Sequence, residues 1–392
     1  MKLCIVTHNV IPNDGQGRLN YEIIREASQQ GHQVTVVSSQ LAPELQHNSQ
    51  VNWISIPVKG LPTQLVREVV FSSRSADWLR QHRKEFDLVI ANGAVTSAAA
   101  DVNMVSFVHR AWLSSPFHVS RVRRDVYGLY QWLYTFLNAH WERTAFRQAK
   151  VVVGVSQRVK RELVETGIPP TRIRVIPCGV NLQEFSPGSA NRRLWGLPED
   201  VPLALFAGDI RLNRKNLDTV LHALVDVPDL HLAVAGETEG SLYPDIAAQL
   251  GLSQRVHFLG LQPSISELLR AVDLFVFPSR YEPFGLVVLE AMATGLPVIT
   301  AITTGAAEVV TPDSGIVLSD SEDAQTLAQA LLHLTRDPVL RYHMGHAART
   351  VAQQHSWTAM AHTYVNLFEE IASRKAQLSP SWLKSNIPAL EL

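Results

Sequence analysis

Short apolar runs recur along this chain, each followed by a longer stretch with helical spacing, and the whole alternation happens twice. Leu3–Thr7, Val34–Val37, Val51–Ile56, Asp87–Ala91, Met104–Val108, Val151–Val155 and Ile173–Ile176 form the first series. Runs that are apolar throughout, with no polar alternation, mark strands buried on both faces, as in parallel sheets with crossover helices. The rhythm stops at Phe185-Ser186-Pro187-Gly188-Ser189-Ala190-Asn191, a small-residue stretch of the linker type. It restarts with Leu203–Ala207, His231–Ala235, Val256–Leu259, Leu274–Phe277 and Val298–Thr300. The pattern predicts an α/β protein of two doubly wound, Rossmann-like domains joined near residues 183–200. Helix is expected through most of Glu322–Arg374, and irregular chain after Ser379.

The length agrees, since 392 residues at about 100–200 per domain give two. With 46% hydrophobic and 18% charged residues, disorder is excluded. Cys4 and Cys178 cannot build a disulfide framework and match no metal spacing, so both are expected as buried bystanders. No stretch approaches the ~18 uninterrupted apolar residues of a spanning helix. The apolar run after Lys2 stops at His8, which reads as a first strand, not a secretory leader, and implies a reducing, cytoplasmic setting.

In open parallel sheets ligands bind beyond the carboxyl ends of strands. Gly15 and Gly17 lie at such an end and open a helix, a place for close backbone approach to a phosphate or sugar. As a dinucleotide fingerprint the loop is poor: Asn20 takes the third glycine position, and Ser38-Ser39-Gln40 lacks the ribose-binding acid. A nicotinamide enzyme is therefore disfavoured. The stretch Pro278–Pro297 says more. A strand ends at Phe277, Pro283 and Gly285 make a turn, and a helix starts near Leu286 and stops at Gly295-Leu296-Pro297. Amides of Phe284, Gly285 and Leu286 are placed to grip a diphosphate. Glu282 and Glu290 border the same helix end, where two carboxylates suit a hydroxyl-rich ligand.

The Glu282-to-Glu290 element, with its Glu-Pro-Phe-Gly-Leu start, resembles the signature of the retaining glycosyltransferases of family 4, also called group 1, which have the GT-B fold. The resemblance extends to the Gly15/Gly17 loop, Val155-Ser156, Ile176–Asn181, Gly208–Asn216, Phe258-Leu259-Gly260 and Asp273. It implies an acceptor-binding domain over 1–183, completed by a helix from 357–392, and a nucleotide-sugar-binding domain over 184–356, their sheets facing across a cleft. It implies that Glu290 binds the donor ribose and Glu282 contacts the donor sugar. Lys215 matches the family lysine on the donor diphosphate, while Asp209 stands where the family has an arginine, leaving Arg211 as the expected substitute. His109, read as ending the Met104–Val108 strand, is expected to face the donor sugar. Base contacts are expected through backbone around Phe258–Leu261, with Leu261 in the site.

The function implied is transfer of a sugar from a nucleotide-sugar to an acceptor hydroxyl with retained anomeric configuration, needing no cofactor and no metal. Two alternatives stand beside it: a nucleotide-sugar epimerase or hydrolase on the same scaffold, and a non-catalytic sugar-nucleotide binding protein. Paired carboxylates also occur in glycosidases, but Lys215 and a helix terminus argue for a phosphate leaving group. The segment Pro116–Lys150 mixes arginines with aromatics, a pattern compatible with a membrane surface or with a helix packed on the sheet. The net charge of −1 hides an asymmetry. Residues 1–182 hold 21 Lys plus Arg against 13 Asp plus Glu, a balance of +8, and residues 183–392 hold 14 against 23, a balance of −9. With no nucleic-acid motif present, the basic half points to an acidic or lipid-linked acceptor, or to peripheral contact with an anionic membrane's inner face.

Overall fold

The computed structural model describes residues 1–377 except Asn13 and Pro263. The expected extension of the last helix to 392 and the irregular tail after Ser379 lie outside the described residues. The first domain holds β1 (Lys2–Val6), β2 (Gln33–Ser38), β3 (Val51–Ser55), β4 (Leu88–Asn92), β5 (Val102–Val105), β6 (Val151–Gly154) and β7 (Ile173–Val175). They form one parallel seven-stranded sheet in the order β3-β2-β1-β4-β5-β6-β7. The second holds β8 (Leu203–Ala207), β9 (His231–Ala235), β10 (Val256–Phe258), β11 (Leu274–Phe277), β12 (Val298–Ala301) and β13 (Gly315–Leu318). Its six strands run β10-β9-β8-β11-β12-β13, again parallel. Both sheets reverse direction beside their first strand, and that switch point is where a doubly wound sheet opens a crevice.

The strands are as buried as their apolar runs require. Leu3, Ile5, Leu205, Phe206, Phe275 and Val276 have no exposed surface, each worth ~1.5–3 kcal/mol on burial. One expected strand is displaced. β5 covers Val102–Val105 and not Met104–Val108, so His109 does not end a strand but opens a short helix, His109–Ser114. The polar residues that obscured its start are buried and satisfied: Asn103 bonds both backbone groups of Gly93, and Asp101 accepts from the Val89 amide and from Arg83. β13 was not foreseen, because only a short 3-10 helix, Gly305–Val309, and a loop separate Gly315-Ile316-Val317-Leu318 from β12.

The chain crosses between domains twice, side by side. The Val180 amide donates to His355, and the Trp357 amide donates to Val180. Gly179 sits so close to Trp357 that a Cβ there would lie 2.5 Å from the Trp357 backbone. After the crossing, the helix Trp357–Gln377 packs on the first-domain helix α1 (Gly15–Gln29), with Tyr364, Val365 and Phe368 fully buried.

Candidate functional site

The loops leaving β8 and β11 meet at the switch point of the second sheet. Asn216, at the end of the first loop, adopts a left-handed conformation (φ 66°) and donates to the carbonyls of Pro278 and Ser321. The Arg280 amide and the Ser279 hydroxyl both donate to the Arg214 carbonyl. Arg280 itself is buried in a fork of Asp218 and Glu322. These bonds fix Lys215 beside Glu282.

Lys215 and Glu282 form a direct ion pair, with Arg214 3.4 Å from the same carboxylate oxygen. Burial alone would raise Glu282, but Lys215 and Arg214 hold it below the usual carboxylate range. Burial draws the Lys215 ammonium down, with Glu282 opposing. The helix Leu286–Ala293 carries Glu290 on its second turn. Burial, and then the charge of Glu184, pushes its carboxyl up to about 7.

Four further helices bear on the site: α2 (Gln64–His82), α3 (Val126–Gln148), α4 (Leu286–Ala293) and the terminal α5 (Trp357–Gln377). Gly285, at φ 95°, starts α4 with no side-chain cap, so its leading amides face open space. They line a cavity of about 810 Å³ together with Gly15, Cys178, Lys215, Glu282 and Glu290. By contrast, the N-terminus of α1 is closed by its own Asp14, whose carboxylate accepts from the Gly17 amide. Of these two helix starts, the one without a side-chain cap among the described residues is therefore that of α4.

Sequence expectation and structure part at several residues. Phe284, Gly285, Leu286 and Gly15 all line the cavity. Gly17 does not; it packs on the Ile11 backbone, where a Cβ would meet the carbonyl at 2.9 Å. Arg211 does not line it either. Its guanidinium folds back on Asp209 at 3.0 Å and is half exposed, so the residue at the family arginine position neutralises the expected substitute. Arg214 is the second cation near Glu282. Leu261 is 74% exposed and outside the cavity, because Gly260 turns the chain outward at φ 68°; Ile265 lies there instead.

His109 lines a second, smaller cavity of about 310 Å³, formed by the loops after β1, β4 and β5 and by helices α2 and α3. Its ring nitrogen Nδ1 lies 2.6 Å from Glu142, which also accepts the His109 amide at 2.9 Å. Burial lowers the imidazole, but Glu142 overcomes this and raises it above its ordinary value. The two cavities share Gln16 and Ser106 and so meet at the domain cleft. Sequence reading missed Glu142, Glu68, Asn92 and Asn138. The only signal was Asn92-Gly93 at a strand end, since the glutamates come from helices distant in sequence.

The cleft is spanned by direct bonds. Glu308 accepts the Gln157 and Arg158 amides at 2.7 Å each, Ser156 donates to the Pro283 carbonyl at 2.7 Å, and the Tyr281 hydroxyl donates to Glu162 at 3.0 Å.

Two Rossmann-like domains with an uncapped helix, a lysine and two glutamates at the facing strand ends define a GT-B protein. Family models agree half by half: glycosyltransferase family 4 matches residues 13–184 and glycosyl transferases group 1 matches residues 189–351. The chain belongs to the group 1 glycosyltransferases. It is similar to the D-inositol 3-phosphate glycosyltransferase of Thermobispora bispora, 34% identical over 56% of each chain. The matched region spans little more than half the length of such curated relatives. In fold it resembles sucrose-phosphate synthase from Thermosynechococcus elongatus, with TM-score 0.75 and 21% identity over 95% of this chain and 99% of that one. It likewise resembles Anabaena HepE in complex with UDP and glucose, with TM-score 0.68 and 20% identity over 94% and 99%.

Proposed function

We propose that the protein transfers a sugar from a nucleotide-sugar to an acceptor hydroxyl with retention at the anomeric carbon. The observation that carries this is Lys215 and the open amides of α4 in one cavity with Glu282 and Glu290. The diphosphate would take Lys215 from Glu282 and lie on the α4 amides; Glu290 would accept the ribose hydroxyls, and Glu282 would turn to the sugar. The bond from anomeric carbon to phosphate oxygen breaks, and the acceptor oxygen adds on the same face. The acceptor proton passes to the departing phosphate oxygen, so no protein nucleophile is required. Lys215 and the amides stabilise the charge that develops on the leaving group, the role that makes preorganised donors effective. We propose that this charge stabilisation requires neither cofactor nor metal.

The decisive experiment is a thermal-shift screen of UDP-, GDP- and ADP-sugars followed by product analysis. A nucleotide-sugar that stabilises the protein and yields a glycoside with retained configuration supports the reading. Rapid turnover without acceptor would favour an epimerase or hydrolase, and binding with no turnover a non-catalytic role.

Peripheral membrane contact is part of the proposal. Val122, Val126, Leu129, Trp132, Leu133 and Phe136 are exposed on and just before α3, with Val126 at 86%. Arg121, Arg123 and Arg124 are exposed beside them. Apolar side chains rimmed by arginines suit an anionic lipid surface. No helix among the described residues is long and apolar enough to cross a membrane.

A further inference from the structure

The smaller cavity is chemically unlike the donor cavity. Glu68, Glu142 and Asp14 bring three carboxylates to its wall, and among the described residues neither lysine nor arginine lines it. Glu68 is held in place by the Tyr134 hydroxyl at 2.6 Å and the Asn138 amide at 3.0 Å. Trp141 adds a flat apolar surface. At the bottom, Asn92 is 2% exposed, and neither its oxygen nor its nitrogen has a hydrogen-bond partner among the described residues. A buried side-chain amide without partners is costly, and this one lines the cavity with a donor and an acceptor to offer.

We propose that this cavity binds the acceptor as an uncharged polyol ring, and that it rejects the phosphorylated form of the same ring. The proposal rests on the glycosyl-transfer reading above. Carboxylates are acceptors only, so Glu68 and Glu142 suit hydroxyl donors. Asn92 serves a hydroxyl in either sense. A phosphate in the same place would face three carboxylates with only the imidazoles of His109 and His8 in compensation, and burial lowers His8 and so disfavours its charged form. The junction at Gln16 and Ser106 then directs one hydroxyl of the ring toward the donor cavity. An acidic acceptor end, expected from the chain-level charge balance, does not suit this wall. The positive excess of the first domain includes the exposed Arg121, Arg123 and Arg124, outside the cavity.

The test uses the full chain with fluorine-labelled tryptophan, the Trp141 resonance being assigned with Trp141→Phe. Matched pairs are titrated: myo-inositol with D-inositol 3-phosphate, and glucose with glucose 6-phosphate. At least one neutral member should shift Trp141 at a concentration about tenfold or more below its phosphorylated partner, the scale of one adverse like-charge contact. Glu68→Gln should narrow that gap; if that variant fails to fold, Ser72→Lys makes the same test by adding a cation to the wall. A phosphorylated member binding as well or better overturns the proposal, and so does the failure of every neutral member to move Trp141 up to its solubility limit. Nucleotide stabilisation, measured in the same samples, reports separately on the donor reading: its absence sinks that reading while leaving the cavity result standing.

Discussion

Lys215 already has a partner in the free protein, and that is the central fact at the scale of single residues. On the proposed reading, removing it would deprive the leaving diphosphate of its cation, and it leaves buried Glu282 with Arg214 as its near cation. Lys215→Ala should therefore reduce kcat by about 10²–10³, with a smaller change in KM, the range seen when one preorganised charge-stabilising group is lost. Steady-state kinetics with saturating acceptor measure it, and an unchanged kcat would exclude Lys215 from the chemistry. Glu290 makes a pH prediction. With its carboxyl raised to about 7, it is largely protonated below that value and unable to accept two ribose hydroxyls. Nucleotide affinity should rise as pH passes upward through 7, and Glu290→Gln should flatten the profile in titration calorimetry. The free protein has the opposite dependence. Because the folded form holds this proton above the ordinary value of 4.5, Glu290's contribution to stability falls as pH rises from 4.5 to 7.

At the scale of elements, α4 works because its start is open and sharply turned. Gly285 has φ 95°, and a Cβ there would lie 3.0 Å from Thr304 Cγ2 and 3.1 Å from Glu282 Cγ. Gly285→Ala should lower the melting temperature, consistent with a backbone cost of about 1–3 kcal/mol, and should weaken nucleotide binding by displacing Glu282. Loss of stability without loss of binding would mean that the turn does not position the carboxylate. The helix α3 bears on membrane contact. Leu129→Ser with Trp132→Ser should abolish retention on anionic liposomes at low salt without altering transfer to a soluble acceptor. Liposome co-sedimentation decides it, and unchanged retention would remove the face from consideration.

At the scale of the whole molecule, the domains touch through few bonds, and Glu308 supplies two of them to the amides that open the helix at Gln157. Glu308→Ala should loosen the cleft: a larger radius of gyration by small-angle scattering without ligand, with a raised KM for the donor. An identical scattering curve would show that the other cleft contacts suffice.

The sequence by itself determined the two doubly wound domains, because strands buried on both faces must be apolar throughout and leave an unmistakable run. It placed Glu282 and Glu290 together as well, since they flank a single strand-turn-helix unit whose turn chemistry is local. It did not disclose which arginine lies beside Glu282. Arg211 and Arg214 are equivalent as letters, and only the fold turns one onto Asp209 and the other toward Glu282. Nor did it disclose the second cavity, whose His109, Glu142, Glu68 and Asn92 come from separate strand ends and helices and meet only through packing. Local pattern encodes elements and the turns between them, whereas the charge lining a cavity depends on which side chains the sheet order brings within a few ångströms of one another.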